Sequence, residues 1–310
     1  MQQERSNPDL GIIILNWNGW RDTIECVNSV YRSGFPVDRM KIIVIDNCSS
    51  DESIVQLKAL KGITLISTDD NLGFAFGNNL GIKEAIRSGC EYILLLNNDT
   101  IVTPGFIEPM MRIFNNERNV GIVCPKILYY SLQNVIWFAG GKFRQPRLIG
   151  EMVGKGQKDC GQYDVPRKID FAVGTCLLTK KTILDKVGLL DERYFMYEED
   201  VDFSIRVSRA GYFIWYQPSA TILHKVSQST EANIPLRNYY YAQSRMIFFL
   251  KHIRGIRIPI VFILEFIRLL RIILQSLFAD KLTIGKNYVS GLMAGIKRYT
   301  YINDEEKAFN

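Results

Sequence analysis

From Leu10 the chain alternates short, continuously apolar runs with stretches of helical period. GIIILNWN, MKIIVIDN, ITLIST and EYILLLNND read as strands. Helices are expected over about 20–33, between MKIIVIDN and ITLIST, and over about 75–88. Strands that are apolar throughout rather than at every second position are covered on both faces, as parallel strands are when helices flank them. This half of the chain is therefore expected to form a doubly wound α/β sheet. Ligands of such sheets lie off the carboxyl ends of the strands. Three of those ends carry polar clusters: Asn16 with Asn18, Asp46 with Asn47, and Asn97-Asn98-Asp99.

The pattern changes over about 143–168, where RQPR, four glycines and little periodicity suggest a long loop or a hairpin excursion, a candidate acceptor loop. Beyond it come a strand-like DFAVGTCLLT, a helix over about 181–187, a cluster of carboxylates, a helix through Arg209 and a strand FIWYQPSATILHK. Near Pro235 the chain turns apolar, aromatic and basic. Glu265, Arg268 and Arg271 interrupt what could otherwise be a membrane span. At about 100° per residue these three and Gln275 share one stripe opposite a broad apolar face. The expected element is an amphipathic helix lying in a membrane interface with its basic residues toward anionic headgroups. A helix packed on the catalytic domain or on a second subunit stays open beside it.

Composition narrows the classes. The 310 residues are 47% hydrophobic, ample for a core, and the net charge of +6 gives no reason to expect a nucleic-acid partner. Cys26, Cys48, Cys90, Cys124, Cys160 and Cys176 show no C-x-x-C spacing and are expected to be reduced. MQQERSNPDL lacks the apolar run of a signal peptide, so the expected location is cytoplasmic.

Each candidate motif has a structural reading beside a chemical one. FMYEEDVDFSIRVSRAGY sets Glu198, Glu199, Asp200 and Asp202 ahead of Arg206 and Arg209. Acidic residues are favoured at a helix start, and Asp202 with Arg206 forms an i,i+4 pair. A catalytic carboxylate tuned by like charges and apolar neighbours fits equally. DDNLGFAFGNNLGI, with Gly73, Gly77 and Gly81 four apart, permits close backbone approach at a helix start but matches no phosphate-loop pattern. Asp99 could hold a hard cation or end a turn. His224, one of two histidines, could be a metal ligand or a satisfied core residue.

The succession ILNWNG, IDNCSSD, NLGFAFGNN, LLNNDT, AVGTCLLTKK, FMYEEDVDFSIRVSRAGY and ILHK resembles the family 2 glycosyltransferases of the GT-A fold over about 10–229, and most of all their rhamnosyltransferase-type branch. The resemblance implies a Rossmann-like, mainly parallel sheet flanked by helices. It implies inverting transfer of a sugar, rhamnose by branch, from a UDP- or dTDP-sugar to a hydroxyl of a surface glycan or lipid-linked saccharide, with Mg²⁺ or Mn²⁺. Asp200 would be the base and Glu199 would position the acceptor or sugar. Asp46 would contact the base ring, Asn16 and Asn47 would line the nucleotide pocket, Asn71, Gly73 and Asn78 would lie near the nucleotide, and Asn97 near the ribose. Asp99 and His224 would hold the cation. The chain departs from the family's commonest pattern at Asn97-Asn98-Asp99, which has fewer carboxylates, and at Asn16-Trp17-Asn18, where other branches have Pro-x-Tyr.

The expected organisation is a polar tail at 1–9, a GT-A catalytic domain at 10–232 and a basic, apolar helical region at 233–310. That region would hold the protein at the cytoplasmic face of the membrane, with oligomer formation open. Two rivals remain: a nucleotide-sugar-binding scaffold without turnover, and a sugar-1-phosphate nucleotidyltransferase. The latter wants a glycine-rich basic loop that ILNWNG does not supply.

Overall fold

A computed structural model describes residues 8–144, 149–226, 234–278 and 282–308. The expected alternation opens the chain: β1 (Leu10–Asn16), α1 (Trp20–Tyr31), β2 (Met40–Asp46), α2 (Ser53–Lys58), β3 (Ile63–Ser67), α3 (Phe74–Arg87) and β4 (Tyr92–Asn97). These strands run parallel in the order β3-β2-β1-β4, and their cores are almost wholly buried at β1, β2 and β4. Pairing is in step at the carboxyl edge: Asn16 lies opposite Asp46, and Leu15 opposite Asn97. One sheet edge thus collects the three polar clusters.

Past β4 the sheet is mixed rather than parallel. β5 (Thr100–Val102), α4 (Ile107–Asn116), β6 (Val120–Tyr129) and β7 (Ile136–Phe138) intervene before β11 (Cys176–Lys180), which lies antiparallel to both β4 and β6. β11 enters from a loop rather than from a helical crossover, so it is free to invert. β12 (Phe213–His224) runs parallel to β6 and antiparallel to β5 and to β10 (Arg167–Ile169). The excursion is a hairpin of β8 (Gly141–Arg144) and β9 (Ile149–Met152), followed by glycine turns; 145–148 of the candidate acceptor loop lie outside the described residues.

α5 (Lys181–Val187) and α6 (Glu199–Arg209) lead into β12. Three helices close the chain: α7 (Ile234–His252), α8 (Arg257–Phe278) and α9 (Leu282–Ala308). The boundary expected at 232/233 and most of the tail expected at 1–9 lie outside the described residues. α7 packs on the catalytic half. Its Ile247, Phe248, Phe249 and Ile253 form a second core with Tyr194, Ile205 and Val261, welding it to the catalytic half.

α8 corrects the sequence reading in its orientation. Glu265 is buried, and Arg268 reaches over the rings of Tyr241 in α7 and Tyr288 in α9. The charged stripe therefore faces the protein, because its tyrosines supply hydroxyl and ring partners that desolvated charges need. The apolar face is turned outward: Phe262, Ile263, Phe266, Ile267, Leu270 and Leu274 are all exposed. Arg271 is exposed, and the side chain of Gln275 lies outside the described residues. Among the described residues no helix is long and apolar enough to cross a membrane.

Candidate active site

The carboxyl edge of the sheet opens into two adjoining cavities of about 390 and 400 Å³ that share Leu15, Trp17, Phe74 and Met196 as walls. The first is lined by Asn47, Asn71, Gly73, Phe195, Arg237 and Tyr240. The second is lined by Asn97, Asn98, Asp99, Trp137, Gly174, Thr175, Glu199, Asp200 and His224, among others. Residues from Leu15 to Val226, far apart in sequence, thus face one cleft.

The first cavity rests on a hydrogen-bonded turn. Asp46 accepts from Asn16 Nδ2 at 2.7 Å and from Ser49 Oγ at 2.7 Å, and it is fully buried. Asn16 in turn accepts from Thr23 Oγ1 at 2.7 Å. These two residues hold the loop from beneath rather than line the cleft. Asn47 does line it: its amide donates to Asn71 Oδ1 at 2.9 Å, and its carbonyl oxygen accepts from the Leu72 N–H at 3.1 Å. Asn71 also accepts from the Gly73 N–H. Gly73 sits at φ 88°, and a Cβ there would strike the Phe195 carbonyl, so glycine alone lets α3 start this close to that loop. Asn78, one turn into α3, is buried and donates to the Phe74 carbonyl at 2.9 Å, away from both cavities.

Strand register explains the second cavity. β4 turns at Asn97-Asn98-Asp99 directly into β5, and β5 pairs with the end of β12 so that Thr100 lies opposite His224. Asp99 and His224 are thereby set side by side, with Nε2 of His224 3.2 Å from Asp99 Oδ2 and the two residues 6% and 5% exposed respectively. Trp137 meets the imidazole edge-on at 4.5 Å. Among the described residues, His224 Nδ1 has no hydrogen-bond partner. A carboxylate and an imidazole side by side in the wall of this pocket suit Mn²⁺ or a similar divalent ion. No cluster of three or more His, Cys, Asp or Glu gathers there among the described residues, so further ligands would come from a bound diphosphate and water.

The carboxylate cluster divides into two pairs. Asp202 turns away from the cleft, 2.8 Å from Arg206 Nε, 2.7 Å from Lys251 Nζ and 2.7 Å from His252 Nε2. Burial alone would raise its pKa, but these three partners hold it well below the usual carboxylate range. Glu198 meets Arg245 at 3.1 Å, though burial still leaves its pKa raised. Glu199 and Asp200 face the cleft. Burial pushes Asp200 up to about 6, against the opposing N–H groups of Gly174 and Val201, each 2.7 Å away. Glu199 is raised further, by burial and then by the charge of Asp200, and its Oε2 has no partner among the described residues. Two donated hydrogen bonds favour the charged form of Asp200, so of the two it is the one that ionises first. Burial is thus the largest cause of the tuning and the charge of Glu198 adds to it, while Asp202 with Arg206 and Lys251 forms a separate network.

Sequence reasoning missed Trp17, Phe74, Trp137, Phe195, Tyr197, Arg237 and Tyr240, which line the cleft from five different segments. Tyr197 and Glu198 are also left-handed, at φ 69° and 66°. Such strain, of order 1–3 kcal/mol per residue, gathers at functional sites.

Known proteins are similar to this chain in sequence and in fold. The chain matches the signature of Glycosyl transferase family 2 over residues 11–188, more than half its length. It is 28% identical over 211 residues to the low-salt glycan biosynthesis hexosyltransferase Agl10 of Haloferax volcanii, covering 67% of this chain and 64% of that one. It is 22% identical over 225 residues to the dTDP-rhamnosyl transferase RfbF of Shigella flexneri, covering 68% and 71%. Among solved structures, GalNAc-T7 with UDP, GalNAc and Mn²⁺ superposes with a TM-score of 0.57 at 14% identity, over 78% of this chain and 51% of that one. The mannosyltransferase PcManGT of Pyrobaculum calidifontis, with GDP-Man and Mn²⁺, superposes with a TM-score of 0.56 at 11% identity, over 93% and 87%. The chain spans under two thirds of Agl10 and about half of GalNAc-T7. With its sheet of GT-A form and its polar clusters in family order at one sheet edge, the chain belongs to glycosyl transferase family 2.

Proposed function

We propose that the protein is an inverting, metal-assisted glycosyltransferase that moves a 6-deoxyhexose, rhamnose in the first instance, from a dTDP- or UDP-sugar to a hydroxyl of a lipid-linked or surface glycan. The observation that carries this reading is the pair of acidic centres in one cavity: Asp200, raised to about 6, and Asp99 with His224. The deoxysugar follows RfbF and the other rhamnosyltransferases to which the chain is similar.

Asn47, Asn71 and Gly73 would receive the nucleotide, with Asp46 and Asn16 fixing their loop, and Arg237 is a cation within reach of the same cavity. Asp200 would accept the acceptor's hydroxyl proton as that oxygen bonds to the anomeric carbon and the bond to the nucleoside diphosphate breaks. Glu199, protonated beside it, would donate to the acceptor or sugar. A divalent cation held by Asp99 and His224 would neutralise charge growing on the diphosphate. Trp17, Phe74 and Trp137 would exclude water from the reacting centre. Turnover of a panel of dTDP-, UDP- and GDP-sugars with Mn²⁺, Mg²⁺ or EDTA tests the reading. One donor used with metal dependence supports it; nucleotide binding without turnover on any donor and acceptor favours the scaffold.

The outward apolar face of α8 supports a working position on the cytoplasmic face of a membrane, where a lipid-linked acceptor is presented. Phe262, Ile263 and Phe266 are 53%, 60% and 59% exposed, flanked by exposed Arg254, Arg257 and Arg271. A helix that turns Glu265 and Arg268 inward, exposes a broad apolar face and keeps arginines at its margins gains by lying in a lipid interface. All six cysteines are free, which fits a reducing compartment. Full-length protein should sediment with phosphatidylglycerol-containing vesicles, and F262S/F266S should weaken this at least tenfold. Equal recovery of both proteins in the supernatant overturns the membrane assignment.

A further inference from the structure

The four residues that lead into the cleft carboxylates are each held by one face of α7. Tyr240 stacks on Phe195, ring centroids 4.3 Å apart and planes 12° apart. Ser244 Oγ donates to the Met196 carbonyl at 2.7 Å. Tyr241 meets Tyr197 edge-on at 6.2 Å, and Arg245 Nη1 donates to Glu198 Oε1 at 3.1 Å. Positions 240, 241, 244 and 245 lie on one side of a helix. The loop they grip is strained: Tyr197 and Glu198 are left-handed, a conformation that ordinary residues keep only when their surroundings over-determine it. About two turns further on, Lys251 and His252 of the same helix hold Asp202, on the side of α6 away from the cleft.

We propose that α7 is the positioning element of the active site: its 240-241-244-245 face moulds the loop 195–198, and Arg245, through Glu198, sets the direction in which Glu199 and Asp200 enter the cleft. Arg245 is 1% exposed and lines neither cavity, and its ion pair with Glu198 is the link to the cleft carboxylates on which the proposal stands. The proposal rests on the reading of Asp200 as base. Charged groups around Glu198 are Arg245 on α7, Glu265 and Arg268 on α8, and Glu199, Asp200 and Asp202 on its own helix. The positive charge of Arg245 opposes burial in keeping Glu198 ionised, and ionised Glu198 raises Asp200.

The test uses full-length Arg245→Met, Arg245→Lys and Glu198→Gln. Amide exchange over 195–202 should quicken at least tenfold in Arg245→Met and recover in part in Arg245→Lys. UDP and dTDP binding with Mn²⁺ should stay within about twofold, because Arg245 is outside the cleft. Turnover of the donor that the parent accepts should fall about tenfold without a rise in donor KM. In carboxyl-¹³C-labelled protein, the titration assigned to Asp200 by its loss in Asp200→Asn should move down by about half a pH unit in Glu198→Gln, a threefold change in proton affinity. Unchanged exchange and an unchanged Asp200 titration, with only a lower melting temperature, overturn the proposal. If Arg245→Met does not fold, Arg245→Lys and Glu198→Gln are judged by the same criteria. Exchange and titration are read without substrate, so absence of turnover in the parent would sink glycosyl transfer and leave this result separate.

Discussion

Acidification is the perturbation that most directly reads the base. With a pKa of about 6, Asp200 is about nine-tenths ionised at pH 7 and about one-tenth at pH 5. An aspartate at its ordinary 3.8 would still be about 94% ionised at pH 5, so the two cases differ about ninefold there. The expected kcat/KM therefore bends near pH 6 and falls about tenfold per unit below it. The assay is sugar transfer from the accepted donor between pH 4.5 and 8.5, repeated at tenfold higher Mn²⁺. A limb caused by cation release would move with the metal, and one caused by Asp200 would not. Asp200→Asn should lower the rate about 10²- to 10⁴-fold and remove the limb. The same shift bears on folding with a definite sign. A carboxyl raised in the folded state costs nothing below pH 4 and its full penalty above pH 6, at most about 3 kcal/mol and less through the open cleft. Asn recovers only part of that, since it offers one oxygen where the Gly174 and Val201 N–H groups use two. A limb near pH 4, or one that follows Mn²⁺, refutes the assignment of Asp200.

Three further outcomes are expected. Asp99→Ala should weaken UDP or dTDP binding at least tenfold with Mn²⁺ and hardly at all with EDTA, as titration calorimetry would show. Asp202→Asn leaves Lys251 and Arg206 without their shared anion and should cost about 3–5 kcal/mol in urea unfolding. Asp202 is held low, so its stabilisation is present above the ordinary carboxylate pKa and is lost as pH falls through and below it; the variant's deficit should shrink in acid. Gly81→Ala would set a methyl 2.5 Å from Ile13 Cγ2, in fully buried β1, and the clash should outweigh about 1 kcal/mol of helix propensity to give a net loss of about 1–2 kcal/mol.

The first half of the fold was legible because burial on both faces leaves a direct trace: an uninterrupted apolar run is hard to place anywhere but in a covered parallel strand. β1, β2 and β4 and the polar residues at their ends follow from that rule alone. The strand direction beyond β4 left no such trace. β11 is nearly as buried as β4, and nothing in CLLTK says that it runs antiparallel. Nor does local pattern single out β6, whose VGIVCPKILY is buried along nine of ten positions and carries Pro125 and Lys126, residues that argue against a strand when read locally. Lys126 is accommodated because Asp159 and Asp164 of the glycine-turn segment meet its ammonium, a contact more than thirty residues away.

The site was legible where a residue type is rare for its place and illegible where meaning comes from orientation. Asp99 and His224 could be singled out, yet only the β5–β12 register makes them neighbours. The acidic run could be singled out too, but four carboxylates in five positions do not announce that two face the cleft and two face cationic side chains. α7 makes that division, supplying Arg245 to Glu198 and Lys251 with His252 to Asp202. The same limit inverted the reading of α8. A polar stripe opposite an apolar one fixes that a helix has two environments, not which of them is protein. Tyr241 and Tyr288 decide it by giving Arg268 aromatic and hydroxyl partners that water would otherwise supply. With Glu265 and Arg268 satisfied inward, the exposed aromatics of α8 are left as the surface whose burial still has free energy to release, roughly 1.5–3 kcal/mol for each large side chain fully covered.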